Sequence, residues 1–201
     1  RLVNSAVTTT GSNGHGVAAI GGGQVELTDG SVSAKATGLG ASGSGSSVTA
    51  NGTKITIARG TTGDNYGAAA QEGGVIRLGT GTSVQTDSSG THGLRASGAG
   101  SQIYASATTV TAGVNVHTGT YGAIPPGGGL IALRDGPTIN TSSYQGTGLV
   151  AVDAGSVIQG NGLTINVRGG EESHGIVAGG GGKITLSDVE ITADSTWSRG
   201  A

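Results

Sequence analysis

The sequence predicts an all-β chain wound as a right-handed parallel β-helix, a solenoid of about seven three-strand coils of roughly 26 residues each. Three observations predict it. A glycine with a short apolar phrase recurs at Gly16, Gly38, Gly67, Gly93, Gly122, Gly148 and Gly175, at intervals of 22, 29, 26, 29, 26 and 27 residues, and again at Gly200 after 25. Two alternating apolar pairs follow each of these glycines in constant order. A small polar residue stands thirteen places after each of the seven: Asp29, Asn51, Thr80, Ser106, Asp135, Asn161 and Asp188.

Each coil is justified element by element. The anchor phrase reads Gly-Val-Ala-Ala from Gly16, Gly-Leu-Gly-Ala from Gly38 and Gly-Leu-Arg-Ala from Gly93, a first short strand with small inward residues at Ala19, Ala41, Ala70, Ala96, Ala151 and Ala178. A glycine- and serine-rich turn follows, as at Gly21–Gly23, Gly43–Ser46 and Gly98–Ser101. The first alternating pair is then Val25/Leu27, Val48/Ala50, Ile76/Leu78, Ile103/Ala105, Ile131/Leu133, Ile158/Gly160 and Ile184/Leu186. After the polar turn residue comes the second pair: Val32/Ala34, Ile55/Ile57, Val84/Thr86, Val110/Ala112, Ile139/Thr141, Ile165/Val167 and Ile191/Ala193. Alternation with period two is the mark of a strand with one buried face. One coil cannot bury its own inward residues, so coils must stack, about 4.8 Å apart, each inward side chain on its equivalent. Seven coils then make a rod of about 34 Å. Asp, Asn, Ser and Thr suit the turn because their side chains bond nearby backbone.

Composition agrees. Of 201 residues, 43 are Gly, only 11% are charged and 2% are aromatic, with no Cys and no Met. A core of large aromatics and a disulfide scaffold are excluded. No run of about 18 apolar residues is present, so no helix spans a membrane. Ten Lys and Arg against twelve Asp and Glu leave no basic stripe, which argues against nucleic acid and against insertion into a membrane. The chain reads as one segment, 1–201, that starts and stops mid-coil, as a piece of a longer rod would.

The candidate chemical groups are few. Tyr66, His92 and Tyr121 each precede an anchor glycine on consecutive coils, and His15 and His174 hold the same place elsewhere. The three aromatics are expected to stack as a structural column, the alternative being a strip that binds sugar. The histidines, three coils apart, cannot share a metal, whose ligands must lie near 2 Å. Glu171 and Glu172 are adjacent acids in a glycine-bearing loop, read as solvated charges rather than a hydrolase pair. Asp29, Asp135 and Asp188 are read as turn residues. There is no Gly-x-Ser-x-Gly elbow, no calcium nonapeptide and no phosphate loop. No catalytic residue, cofactor or metal is assigned, and the chain is read as not an enzyme.

The repeated phrase resembles a known family. Gly148-Leu149-Val150-Ala151 with Gly155-Ser156, and Gly175-Ile176-Val177-Ala178 with Ile184-Thr185-Leu186 and Ile191-Thr192, closely resemble the pertactin-like passenger domains of classical Gram-negative autotransporters. The resemblance covers essentially the whole chain. It implies an extracellular stalk at the bacterial cell surface, exported through a C-terminal outer-membrane β-barrel outside this chain. It implies a non-catalytic adhesin, self-association or virulence factor. The alternative function is a carbohydrate-active β-helix, a polysaccharide lyase or tailspike-like hydrolase.

A partner is expected at one edge. The connection before each anchor glycine varies most in length, from Lys35–Thr37 to Ala58–Tyr66 and Gly113–Tyr121. Variable connections on one face of a solenoid carry recognition. Stacking gathers Arg59, Asp64, Tyr66, His117, Tyr121, Arg168, Glu171, Glu172 and His174 along that edge. The expected partners are a host-surface receptor, another copy of the chain, or an antibody.

Overall fold

Alternating short apolar pairs separated by glycine turns leave the backbone one economical arrangement, parallel strands hydrogen-bonded from coil to coil. The computed structural model of the chain describes residues 1–58, 65–87, 90–116, 119–170, 172–194 and 200, the side chains of 114–116 excepted. It contains strands and turns, and no helix among the described residues. All the strands pair in parallel, as a β-solenoid of about seven turns. Among the described residues, no helix is long and apolar enough to cross a membrane.

The anchor phrases build one seven-stranded sheet: β2 (Val17–Ile20), β4 (Thr37–Ser42), β6 (Asn65–Gln71), β9 (Thr91–Ser97), β12 (Tyr121–Ile124), β15 (Thr147–Ala151) and β18 (His174–Ala178). The alternating pairs build a thirteen-stranded sheet. Its first flank holds β7 (Val75–Leu78), β10 (Gln102–Ser106), β13 (Leu130–Arg134), β16 (Val157–Asn161) and β19 (Lys183–Ser187). Its second flank holds β8 (Ser83–Thr86), β11 (Thr109–Val116), β14 (Thr138–Ser143), β17 (Thr164–Arg168) and β20 (Glu190–Asp194). The flanks join through β3 (Gln24–Ala34) and β5 (Ser47–Ile57), with β1 (Leu2–Thr8) on β3.

The first two complete coils therefore differ from the expected three strands. Each runs both apolar pairs as one 11-residue strand, bent at Asp29-Gly30 or at Asn51-Gly52. The bend is made by left-handed backbone, with φ of 54° at Asp29, 104° at Gly30 and 60° at Gly52. A short polar side chain or none tolerates that conformation. Asp135 and Asp188, at φ of 60° and 51°, turn later coils in the same way. The turn reading of this column therefore holds. A second difference is that β11 continues to Val116, pairing with Ser143 after a register shift, where a loop was expected from Gly113.

The anchor glycines are required by space. None adopts positive φ. A Cβ on any of the seven would come within 3.0 Å of two groups at once. One is a methyl of the second-flank residue of its own coil: Val32, Ile55, Val84, Val110, Ile139, Ile165 or Ile191. The other is the carbonyl oxygen of the next glycine in the series. Gly16 meets Val32 and Gly38, Gly93 meets Val110 and Gly122, and Gly175 meets Ile191 and Gly200. A 3.0 Å approach is closer than real Cβ atoms come.

Inside, the coils come in two kinds. The residue after the anchor glycine runs Val17, Leu39, Ala68, Leu94, Ala123, Leu149, Ile176 in strand register. The facing column on the first flank runs Leu27, Ala50, Leu78, Ala105, Leu133, Gly160, Leu186. Large and small residues alternate in antiphase, so each central coil carries one Leu and one small residue. The structural repeat is thus two coils, 55 residues from Gly38 to Gly93 and again from Gly93 to Gly148. Interdigitation of this kind fills a narrow core to normal density. Gly160 leaves a hollow that Leu163, 1% exposed, reaches from the turn.

The polar members of the core follow the same two-coil rhythm. Ser46, Ser101 and Ser156 are buried, once per pair of coils. Ser46 donates to the Ser42 carbonyl at 2.7 Å and accepts the Gly22 amide at 2.9 Å. Ser101 donates to the Ser97 carbonyl at 2.7 Å and accepts the Gly73 amide at 3.1 Å. Each of these two hydroxyls ties its own coil to the preceding one. At the corner after the polar turn, Thr82 donates to the Ala50 carbonyl at 3.0 Å and Thr108 to the Ser106 carbonyl at 3.0 Å.

The inward assignments hold through the central coils, where Ile76, Ile103, Ile131, Ile139 and Ile165 are fully buried. Ala178 is the exception, exposed in the last described coil.

Two expected outcomes test this packing. Ile131→Asp should destabilise by more than about 3 kcal/mol in urea unfolding, because an unpaired charge would replace a methyl ladder. Thr141 is fully buried and its hydroxyl has no hydrogen-bond partner. Thr141→Val removes that unpaired group at nearly constant volume and should raise the melting temperature, by roughly 1 kcal/mol of stability.

Candidate functional edge

The anchor-sheet strands β6, β9, β12, β15 and β18 start along one edge of the solenoid. Register puts the residues before the anchor glycines in a column: Thr37 pairs with Tyr66, Tyr66 with His92, Tyr121 with Thr147 and Thr147 with His174. The strand spacing brings successive rings within stacking reach. His92 and Tyr121 stack with centroids 4.7 Å apart and planes 10° from parallel. Tyr66 and His92 are 5.8 Å apart and tilted by 32°.

The column is locked by more than stacking. The Tyr121 amide donates to His92 Nδ1 at 3.0 Å. A ring nitrogen that accepts carries no hydrogen, so the neutral imidazole holds its hydrogen on Nε2. The Arg95 guanidinium lies over the Tyr66 ring, 4.9 Å from its centroid, and Tyr66 is only 6% exposed. The rings therefore turn their faces to one another and to Arg95. A sugar stacks on a free aromatic face, and His92 lies within stacking distance of a ring on either side. The arrangement is that of a structural ladder.

The other expected edge residues divide. Arg59, Asp64, His117 and Glu171 lie outside the described residues. Arg168 is exposed at the end of β17, in register with Asp194. Glu172 is exposed and accepts from Gln145 Nε2 at 3.0 Å. These two residues occupy the same corner of adjacent coils, both left-handed, with φ of 56° and 57°. His174 is half-buried, and its Nδ1 is buried without a hydrogen-bond partner. The structure thus brings together Tyr66, His92 and Tyr121, and separately Gln145 and Glu172.

The described acids are spent largely on turns. Asp135 accepts from the Ser106 hydroxyl one coil back. Asp153 accepts the Gly127 amide at 3.0 Å, and Asp188 accepts from Asn161 Nδ2 at 3.2 Å. Such bonds satisfy backbone and side-chain donors that parallel stacking brings to each turn. Among the described residues, no group of three or more His, Asp or Glu is placed to hold a metal ion.

Sequence reading missed two features here. Arg95 occupies the variable outward position of its anchor phrase, and its role appears only when β9 is set against β6. On the first flank, the Arg77 guanidinium lies 5.5 Å from the Tyr104 ring centroid. The Tyr104 hydroxyl in turn donates to Gln102 Oε1 at 2.8 Å. The signal was available as strand register, since Arg77 and Tyr104 are direct neighbours across β7 and β10.

No known protein family, characterised protein or solved structure matches this chain.

If the column is structural, His92→Ala should lower stability by about 1–2 kcal/mol in thermal unfolding, since it loses two ring contacts and the acceptor for an amide. His92→Phe, which keeps the stack and loses the acceptor, should cost less.

Proposed function

We propose that this chain is a non-catalytic, extracellular β-helical stalk, part of an autotransporter passenger that acts as an adhesin, self-association or virulence factor at the bacterial cell surface. The observation that carries this reading is the division of labour around each coil. Two of the three corners keep nearly constant length and are occupied by turn chemistry and coil-to-coil hydrogen bonds. The third corner alone varies strongly in length, and the anchor-sheet strands that follow it start along a single edge of the rod. A rod built this way projects that edge away from its point of attachment. Apart from the Tyr66, His92 and Tyr121 column, side chains there are free to vary without disturbing the ladders, as recognition surfaces on rigid scaffolds do.

The reading also suits an exported chain. The fold needs no disulfide, because its stability comes from ladders that each new coil extends. Such a chain can pass through a membrane pore unlocked and fold coil by coil on the far side. The partner at the edge is a host-surface receptor or a second copy of the rod, engaged through polar contacts.

The test uses the shortest natural coil as a guide. Excising residues 59–64 leaves Ala58, Asn65 and Tyr66, equal in number to Lys35–Thr37, between β5 and the anchor glycine. The variant is expected to keep its strand signal in circular dichroism and to lose adhesion to host cells or clumping of cells that display it. If adhesion and clumping persist unchanged, the recognition surface lies elsewhere. Incubation with pectins or bacterial glycans should release no product. Cleavage that disappears on Glu171→Gln or Glu172→Gln would favour the carbohydrate-active alternative.

A further inference from the structure

The outer face of the first flank carries a groove away from the variable edge. It is open to solvent, about 730 Å³ in volume, and crosses β13, β16 and β19. Its shape follows from side-chain length. Leu130, Val157 and Lys183 are in strand register, and Arg134 lies four residues further along β13 than Leu130. The two long cationic side chains therefore stand at opposite corners, about 13 Å apart along the strands and about 10 Å across them. Short side chains lie between them, with Val157 on the floor and Thr185 beside Gln159.

The charges in this groove are unspent. Among the described residues, the ion pair present is Arg1 with Glu26, so neither Arg134 nor Lys183 has a carboxylate partner. Asp135 also lines the groove beside Arg134 and keeps its negative charge, one carboxylate oxygen accepting from the Ser106 hydroxyl. Asn161 commits its amide hydrogens to Ser187 and Asp188. Gln159 and Thr185 are exposed and make no side-chain hydrogen bond among the described residues. The groove thus offers two cations at a diagonal separation of about 16 Å against the single carboxylate of Asp135, with amide and hydroxyl groups between them and one small apolar patch.

We infer that this groove binds an acidic polysaccharide. The free cations take carboxylate or sulfate groups, Arg134 through its planar fork. Gln159 and Thr185 take ring hydroxyls, and Val157 takes an apolar ring face. The diagonal accommodates an oligosaccharide chain rather than one sugar ring. This site is separate from the variable edge and does not depend on it.

The test is isothermal titration of the whole chain with three polymers: alginate, dextran sulfate and uncharged dextran. At low salt, at least one acidic polymer should bind and dextran should not. The stronger of the two identifies carboxylate or sulfate as the recognised group. Binding should weaken at least about tenfold when ionic strength rises from about 0.05 to 0.5 M. Arg134→Gln and Lys183→Gln, both at exposed positions, should each weaken it roughly fivefold or more while leaving the melting temperature unchanged. Lys54→Gln, an exposed cation on the second flank, should leave it unaltered. Failure of both acidic polymers to bind, equal binding of dextran, or an equal loss on Lys54→Gln would overturn the inference. None of these outcomes bears on the excision of 59–64, so the two readings fail independently.

Discussion

Seven glycines with no room for a methyl group set the cross-section of this molecule. At each, a β-branched side chain of the second flank presses on the glycine Cα from inside the coil, while the carbonyl of the next anchor glycine closes the space along the axis. That contact lets the anchor sheet and the second flank approach closely at one corner. The close corner makes the core narrow, and the narrow core is filled by Ala, Val, Ile and Leu with a few Ser and Thr. The absence of Phe and Met and the light composition follow from the same restriction. A larger residue at the corner would separate the sheets and unpack the ladders on both sides.

The second constraint is that a narrow core must still be filled. Leu in both columns of every coil would overfill a core this narrow, and Ala in both would leave voids. Antiphase alternation resolves this. Leu39, Leu94 and Leu149 share their coils with Ala50, Ala105 and Gly160, and Leu78 and Leu133 share theirs with Ala68 and Ala123. The same two-coil rhythm sets the buried serines, since Ser46, Ser101 and Ser156 occur only in coils that carry the anchor-strand Leu. Packing and hydrogen bonding therefore share one period, which gives each coil a preferred neighbour.

Much of this was legible in the residues. The anchor glycines, both alternating pairs and the polar turn column were each readable from fixed offsets, because a solenoid repeats its contacts at constant sequence separation. The inward assignment of Ile131 and Ile165 needed only period two. The bend that merges two strands into β3 and β5 was not legible, since it depends on the φ angles at Asp29, Gly30 and Gly52. The 55-residue period was present in Gly-Leu-x-Ala from Gly38, Gly93 and Gly148 but hidden by averaging all coils to one length. At the candidate edge, sequence placed Tyr66, His92 and Tyr121 in a column. The Arg95 contact and the His92 Nδ1 acceptor needed side-chain geometry. The groove on the first flank was invisible because its floor, rim and free charges come from three coils and no motif.

The rod separates what holds it together from what it can present outward, and the separation rests on the anchor corner. A double-mutant cycle between Gly93 and Val110 measures that corner directly. Gly93→Ala should destabilise by about 3 kcal/mol, because its methyl would overlap Val110 and the Gly122 carbonyl. Val110→Ala should destabilise by about 2 kcal/mol through the cavity it leaves. If the two side chains compete for one space, the double variant should be more stable than the sum of the single effects predicts, by at least about 1 kcal/mol. Additivity within about 0.3 kcal/mol, or a negligible cost for Gly93→Ala alone, would contradict the steric account of the anchor glycines.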